Sequence, residues 1–516
     1  MRYYRLFSLI LAVSFIAGAP FNLFADVKLP SIIGNNMVLQ QGKSVPIWGW
    51  ADPGEKVTVK FQRQKKTATA CPGGHWRVDL KSIKAGGPHT MSIAGNNTID
   101  LVNILVGEVW VCSGQSNMQW SVERSDNAKQ EIASANYPSI RLFTAQRTVA
   151  DQPQSDVPGN WVECSPETVG GFSACGYFFG RKLHKHLGVP VGLINSSWGG
   201  TLAEAWTSRP TLESDPDYQP ILDRGAKQLK DFSEAFDQYE KDYENWKQEL
   251  REAESKGSPV SSAPKMPGIP YHNPNRPSVL YNGMLAPLMP YAIQGAIWYQ
   301  GESNASRAYQ YRKLFSDMIK DWRQNWNQGD FTFLYVQLAN YEQSYAASTS
   351  WAELREAQNM ALLLPNVGAA VTTDIGDPKD IHPRNKQEVG RRLALAAEAI
   401  AYGRDVIYSG PMYKSMCVEN NSIRISFDHL GGGLISGDGK DLSGFTIAGS
   451  EQNFVAAQAK IDGDSVVVWS DNVSNPVAVR YGWADNPDNC NLYNKAGLPA
   501  SPFRTDGWTG VTAGSL

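Results

Sequence analysis

The chain has 516 residues, more than one ordinary hydrophobic core supports, so roughly two to four domains are expected. Its 42% hydrophobic and 19% charged residues describe a globular protein and exclude compositional disorder. A formal net charge of −3 supplies neither a basic footprint for nucleic acid nor a polybasic patch for a membrane surface.

The first element is a short basic segment, MRYYR, followed by apolar LFSLILAVSFIAGA and an acceptable cleavage site at Ala25, with Leu23 two places before it. Residues 1–25 therefore read as a secretory signal. The apolar run is interrupted at Pro20 and Asn22, short of the ~20 residues that a membrane anchor needs. The mature protein is expected to be exported, periplasmic or secreted, with no membrane span. Six cysteines are too sparse for a disulfide scaffold, although export permits bridges. Cys164 and Cys175, close in sequence, are the pair to examine first, and Cys112 reads as a packed thiol.

Residues 26–101 read as an N-terminal β-sandwich. MVLQQ, SVPIWGWA, KVTVKF, WRVDL and HTMSIAG are strand-like runs separated by turn signals such as DPGE, PGGH and AGGP. The run VNILVGEVWVCSGQSNM, residues 102–118, is then mostly β-branched or aromatic and nearly uncharged, as a strand of a parallel sheet with both faces covered should be. It stops at a Gly-Gln-Ser-Asn turn. Ser116 lies just past its carboxyl end, where open α/β sheets hold their ligands, and is a candidate nucleophile.

Alternating strands and helices follow, in two parts of one catalytic domain, residues 102–207 and 285–403. The spacing in ACGYFFGRKLHKHL predicts a helix over 174–187 that Gly188 stops. VGLIN is the next strand and runs into a Gly-rich turn, SSWGGT. A strand after such a helix implies a parallel sheet. Residues 208–284 interrupt the alternation with a helical and loop insertion: Tyr218 to Lys256 predicts one or two amphipathic surface helices, able to wall a groove or form a dimer contact. The sheet resumes with AIQGAIWYQGESN, FTFLYVQLAN and VGAAVTTDIG, and the last delivers Asp374, Asp377, Asp380 and His382 beyond its end. NKQEVGRRLALAAEAIAYG is an amphipathic helix, and residues 404–516 are a C-terminal β-rich module.

Four turns thus converge: GQSNM, SWGGT, WYQGESN and DIHP. Ester hydrolysis needs a nucleophile, a base, a group that orients the base, and donors for an oxyanion. Ser116 would attack, His382 would act as base and then acid, and a carboxylate would fix the imidazole. Backbone N–H groups at Ser116 and at Gly199 or Gly200, with a side-chain amide from Gln300 or Asn304, would hold the oxyanion. Asp428-His429, in the C-terminal β segment, reads as surface, and His184 and His186 as solvated. No CxxC or HxxxH spacing suggests a metal.

Together these stretches resemble the SGNH-hydrolase superfamily and, within it, the sialate O-acetylesterase family. LPSIIGNNMVLQQ, LVGEVWVCSGQSNM, SSWGGTLAEAW, IWYQGESNA, DIHPRNKQEVGRRLA and NLYNKAGLPASPFRTD all carry the likeness, in the family's order and over nearly the whole mature chain. The resemblance implies a three-layer α/β/α domain and a serine esterase, without cofactor, that removes acetyl groups from sugar hydroxyls. Many superfamily members place the acid three residues before the histidine, where this chain has Lys379. Asp380 is the first choice to orient His382, with Asp377 and Asp374 as competitors. QGESN stands where the superfamily usually has Gly-x-Asn-Asp, so Gln300 would take the oxyanion part, with Glu302 or Asn304 in support. The expected substrate is a 9-O-acetylated sialic acid. Acetylated xylan or xyloglucan is the alternative, and a noncatalytic sugar-binding protein on an esterase scaffold is the rival of another class.

Overall fold

Strand β1, Thr98–Gly114, is the axis of the molecule. Along its second half Trp110 and Cys112 face one apolar cluster while Val109 and Val111 face another, and all four are fully buried. This is the period-two alternation of a strand with helices on both sides. The structure is a computed structural model that describes residues 26–268, 270–342 and 349–516, so the expected secretory signal lies outside the described residues.

Six further strands complete the central sheet: β2 Tyr137–Thr144, β3 Trp161–Cys164, β4 Val191–Ser197, β5 Gly295–Tyr299, β6 Thr332–Val336 and β7 Val367–Ala370. Their order is β7-β6-β5-β1-β4-β2-β3. All neighbours are parallel except β3, which runs antiparallel on the edge. The chain leaves β1 first toward β2 and β4 on one side and later toward β5 on the other. That reversal opens a crevice beyond the carboxyl ends of the strands.

Six helices bear on this sheet or its site: α1 Ser116–Gln119, α2 Ala174–Leu187, α3 Gln219–Lys256, α4 Ala308–Trp326, α5 Ser350–Met360 and α6 Lys386–Ile400. Buried residues of α2 and α6 share one cluster with Trp110 and Leu193, whereas those of α4 and α5 share the other with Val111 and Trp298. The three-layer α/β/α architecture follows. Helix α2 spans the predicted residues: the Ser173 hydroxyl accepts from Gly176 N at 3.1 Å, and Gly188 ends the helix at φ 68°.

The N-terminal strands pair as a β-module, with Lys56–Phe61 between Gln64–Thr69 and Gly86–Ala94, and Val45–Trp50 against His75–Leu80. Gly86–Ala94 also pairs with β1. The expected boundary between residues 101 and 102 therefore falls inside one strand that serves both modules, and a single apolar cluster crosses it. The insertion holds one helix of 38 residues, about 57 Å long at 1.5 Å per residue. Only Ile221, Leu222, Gly225 and Ala253 of α3 are buried, so most of it stands clear of the body. Its aromatic side chains stack in sequence from Phe232 through Phe236, Tyr239 and Tyr243 to Trp246, whose indole N–H donates to Ser261 O. Among the described residues no helix is long and apolar enough to cross a membrane.

Cys164 and Cys175, the pair to examine first, are both free thiols. Cys164 ends β3 on the sheet edge and its thiol faces Ala135 O, whereas Cys175 opens α2 and its thiol faces Asn117 O at 3.5 Å. Proximity in sequence failed because the turn between them separates two elements.

The C-terminal β-rich module has its own apolar core and is fastened to the catalytic domain by Arg355. This fully buried guanidinium donates to Leu338 O and Ala339 O just beyond β6, and to Ala484 O and Asp485 O in the C-terminal module. Arg355→Met would leave four carbonyls, three of them on buried residues, without this donor, and is expected to lower unfolding stability by about 3 kcal/mol or more in urea denaturation.

Candidate active site

Gly114 ends β1 at φ 134°, and a Cβ there would lie 2.2 Å from Tyr299 O. Only glycine lets the two strand ends approach this closely. Gln115 N then donates to Tyr299 O at 2.9 Å, and α1 begins at Ser116. The N–H groups of Ser116 and Asn117 open the turn and have no intrahelical acceptor.

His382 comes from the loop between β7 and α6. Its Nε2 lies 2.9 Å from Ser116 Oγ, and its ring stacks on Trp120 with centroids 4.8 Å apart. Asp380 Oδ1 accepts from His382 N at 2.9 Å and lies 3.6 Å from Nδ1. The competing carboxylates have other partners. Asp374 makes a two-pronged ion pair with Arg392 at 2.6 and 2.7 Å, and Asp377 accepts from Lys379 N at 2.8 Å. Of the three, Asp380 is the one beside the imidazole. Burial, then the positive charges of Lys386 and Arg124, press the His382 pKa below its ordinary value, against the opposing pull of Asp380.

Gly199 lies against Ser116, since a Cβ there would be 3.2 Å from Ser116 Cβ. Its N–H donates to Gln119 Oε1 at 2.7 Å, so an amide oxygen already occupies this donor. Gly200, at φ 75°, turns the loop, and its carbonyl accepts from Asn275 at the base of the insertion. The expectation for Gln300 does not hold in this geometry. Its Nε2 donates to Thr201 O and Asn304 Oδ1, and its Oε1 accepts from Tyr311, so the fully buried amide has both hydrogens engaged. Asn304 is also buried, donating to Glu204 and accepting from Ala203 N. Glu302 accepts from Asn117 at 2.5 Å behind the nucleophile. These three brace the QGESN turn.

Sequence reasoning missed several residues of the site. Trp120, Arg124, Arg147 and Asn195 line the same crevice of about 440 Å³ as Ser116 and His382. Lys386 and Asn117 sit behind it, joined at 2.6 Å. Asn117 and Lys386 were visible within GQSNM and DIHPRNKQ, but nothing in their spacing tells an inward from an outward side chain. His184 and His186 are not simply solvated, since the first faces Val189 O at 2.7 Å and the second pairs with Glu398 at 2.9 Å. Asp428 pairs with Lys414 in the C-terminal module. Among the described residues no group of three or more His, Cys, Asp or Glu could hold a metal ion.

A family model described as carbohydrate esterase, sialic acid-specific acetylesterase, matches residues 106–251 and 271–399. The chain belongs to that family. The sialate O-acetylesterase of Mus musculus is 32% identical over 92% of this chain and 94% of its own length. That of Homo sapiens is 29% identical over 94% of each. A solved carbohydrate acetylesterase from Xanthomonas citri is 37% identical, covering 94% of this chain and 100% of its own, with a TM-score of 0.80. This sialic acid-specific acetylesterase family member is accordingly an esterase, a carbohydrate acetylesterase, and the fold shared with the Xanthomonas enzyme extends through its β-rich modules.

The direction of the His382 shift sets a pH dependence. Because burial and nearby cations disfavour the imidazolium, the neutral base persists to lower pH than usual. The acid limb of kcat/KM on p-nitrophenyl acetate is expected to have its midpoint below 6.5; a midpoint above that value contradicts the electrostatic account.

Proposed function

We propose that the chain hydrolyses O-acetyl esters of sugars through Ser116 as nucleophile and His382 as general base, with Asp380 orienting the imidazole. The observation that carries this reading is the 2.9 Å approach of His382 Nε2 to Ser116 Oγ at the mouth of the sheet's crevice. In the first step Oγ attacks the acetyl carbonyl as Nε2 takes its proton. The tetrahedral oxyanion is held by the N–H of Ser116 and by Gly199 N–H, which the substrate oxygen reaches by displacing Gln119 Oε1. His382 then protonates the departing sugar oxygen, leaving an acetyl-serine. Water attacks this ester with His382 again as base, and acetate leaves. Asp380 favours the imidazolium formed at each step.

A 9-O-acetylated sialic acid is the proposed substrate. The support is a pair of exposed arginines beside the crevice, Arg124 over the Trp120 ring at 5.3 Å and Arg147 over the Trp198 ring at 5.8 Å. Neither guanidinium has a carboxylate partner among the described residues. Both are therefore free to receive the carboxylate that distinguishes a sialic acid from a neutral sugar. A second reading within the same chemistry is acetylated xylan or xyloglucan, since the acetyl end of such a substrate is alike and the 37% identical Xanthomonas citri enzyme is a carbohydrate acetylesterase. Export is proposed from the pattern of residues 1–25, and a mature N-terminus at Asp26 would support it.

Acetate release is the direct assay. Ser116→Ala should lower kcat by about ten-thousand-fold or more on every ester. Faster release from O-acetylated sialic acid than from acetylated xylan or xyloglucan is expected, and the reverse order selects the second reading. Arg147→Ala should raise KM for the sialic acid substrate roughly tenfold or more while leaving p-nitrophenyl acetate nearly unchanged.

A further inference from the structure

Behind the nucleophile a buried side-chain amide joins four segments of the catalytic domain. Asn117, next to Ser116, donates through Nδ2 to Glu302 Oε1 at 2.5 Å and to Ile381 O at 3.0 Å, and accepts through Oδ1 from Lys386 Nζ at 2.6 Å. Glu302 belongs to the turn after β5, Ile381 immediately precedes His382, and Lys386 opens α6. Every polar atom of the Asn117 side chain is thus engaged. Lys386 is fully buried with its ammonium 5.1 Å from the Tyr299 ring centroid. Glu302 Oε2 is also buried and has no hydrogen-bond partner among the described residues.

We propose that Lys386 is a positioning residue for the hydrolysis, holding the nucleophile turn and the histidine loop in register through Asn117. The inference rests on the reading that Ser116 and His382 perform the reaction. Lys386 does not touch the crevice. An ammonium deprived of water is costly to bury, and here its hydrogen-bonded contact is a neutral amide rather than the carboxylate beyond it. The arrangement makes Asn117 a bridge: it accepts from the cation on one side and donates to the anion and to the histidine loop on the other. Shifting Lys386 therefore shifts both halves of the dyad.

The ammonium also acts on the imidazole at a distance. It disfavours the His382 imidazolium, as Arg124 does from the turn after α1, while Asp380 on the histidine's own loop favours it. Around Lys386 itself stand Glu302 and Asp380, with the Cys175 thiol facing it from α2. Removing the Lys386 charge leaves Arg124 and Asp380 in place, so the imidazolium becomes easier to form and the acid limb moves to higher pH.

The test compares the full chain with Lys386→Met and with the double variant Lys386→Met/Glu302→Gln. The double variant removes both buried charges together and leaves no lone ion, so it is expected to fold. Circular dichroism and Tm report folding, and p-nitrophenyl acetate hydrolysis is followed across pH. In the folded double variant kcat should fall about tenfold or more with KM within about twofold, and the acid limb should move to higher pH. Unchanged kcat overturns the proposal. So does a fall in kcat with the acid limb unmoved, or a double variant that cannot fold, since either makes the network a support of the fold alone. Retention of activity by Ser116→Ala would instead overturn the dyad reading on which the proposal rests.

Discussion

Strand β1 can deliver Ser116 only because its last residue carries no side chain. With a Cβ at Gly114 placed 2.2 Å from Tyr299 O, any other residue would push β1 and β5 apart. That separation would move the nucleophile turn away from the QGESN turn and break the Asn117–Glu302 contact between them. The same register carries the other side of the crevice: Ser197 of β4 stands opposite Gly114, and Trp198 N donates to Gly114 O at 3.0 Å, which brings Gly199 against Ser116. One close backbone approach therefore fixes three turns that lie far apart in the chain. The parallel sheet gathers them at one edge, and Gly114 sets how tightly they meet.

Rigidity around that edge comes from buried polar side chains whose hydrogen bonds are largely filled. Gln300 ties the turn after β5 to Thr201 and to α4 through Tyr311. Gln358 on α5 donates to Gln300 O and Val336 O, joining the same turn to β6. Arg355, one turn earlier on α5, spends its guanidinium on four carbonyls at the seam with the C-terminal module. Each is costly to bury alone and holds its place because its polar atoms are met by backbone groups or, for Gln300, also by the Asn304 and Tyr311 side chains. The crevice is thus framed by fixed backbone, which suits a site where donors must be in place before charge develops.

The electrostatics of the site pull in two directions, and the geometry decides between them. Asp380 favours a charged imidazole, whereas burial, Lys386 and Arg124 favour a neutral one. The latter prevail, and the His382 pKa lies below its ordinary value. Asp380 lies 3.6 Å from Nδ1 and is anchored by His382 N. The stacked Trp120 ring holds the imidazole plane. At the mouth, two arginines lie over tryptophan rings, Arg124 on Trp120 and Arg147 on Trp198.

The sequence by itself determined the layers and the turns. Its buried parallel strands, the helix over 174–187 ended at Gly188, and the convergence of GQSNM, SWGGT, QGESN and DIHP all follow from periodicity, helix-stop and turn chemistry, which are local. What each polar side chain is bonded to is not local, and there the sequence ran out. It could not distinguish Asp380 from Asp374 until the structure paired Asp374 with Arg392. Nor could it show that both Gln300 Nε2 hydrogens are engaged, that β1 crosses the boundary drawn at residue 101, or that Lys386 reaches Asn117 from 269 residues away. Hydrogen bonds and ion pairs between distant segments depend on side-chain direction and on which partners burial leaves available, and only the tertiary structure decides those.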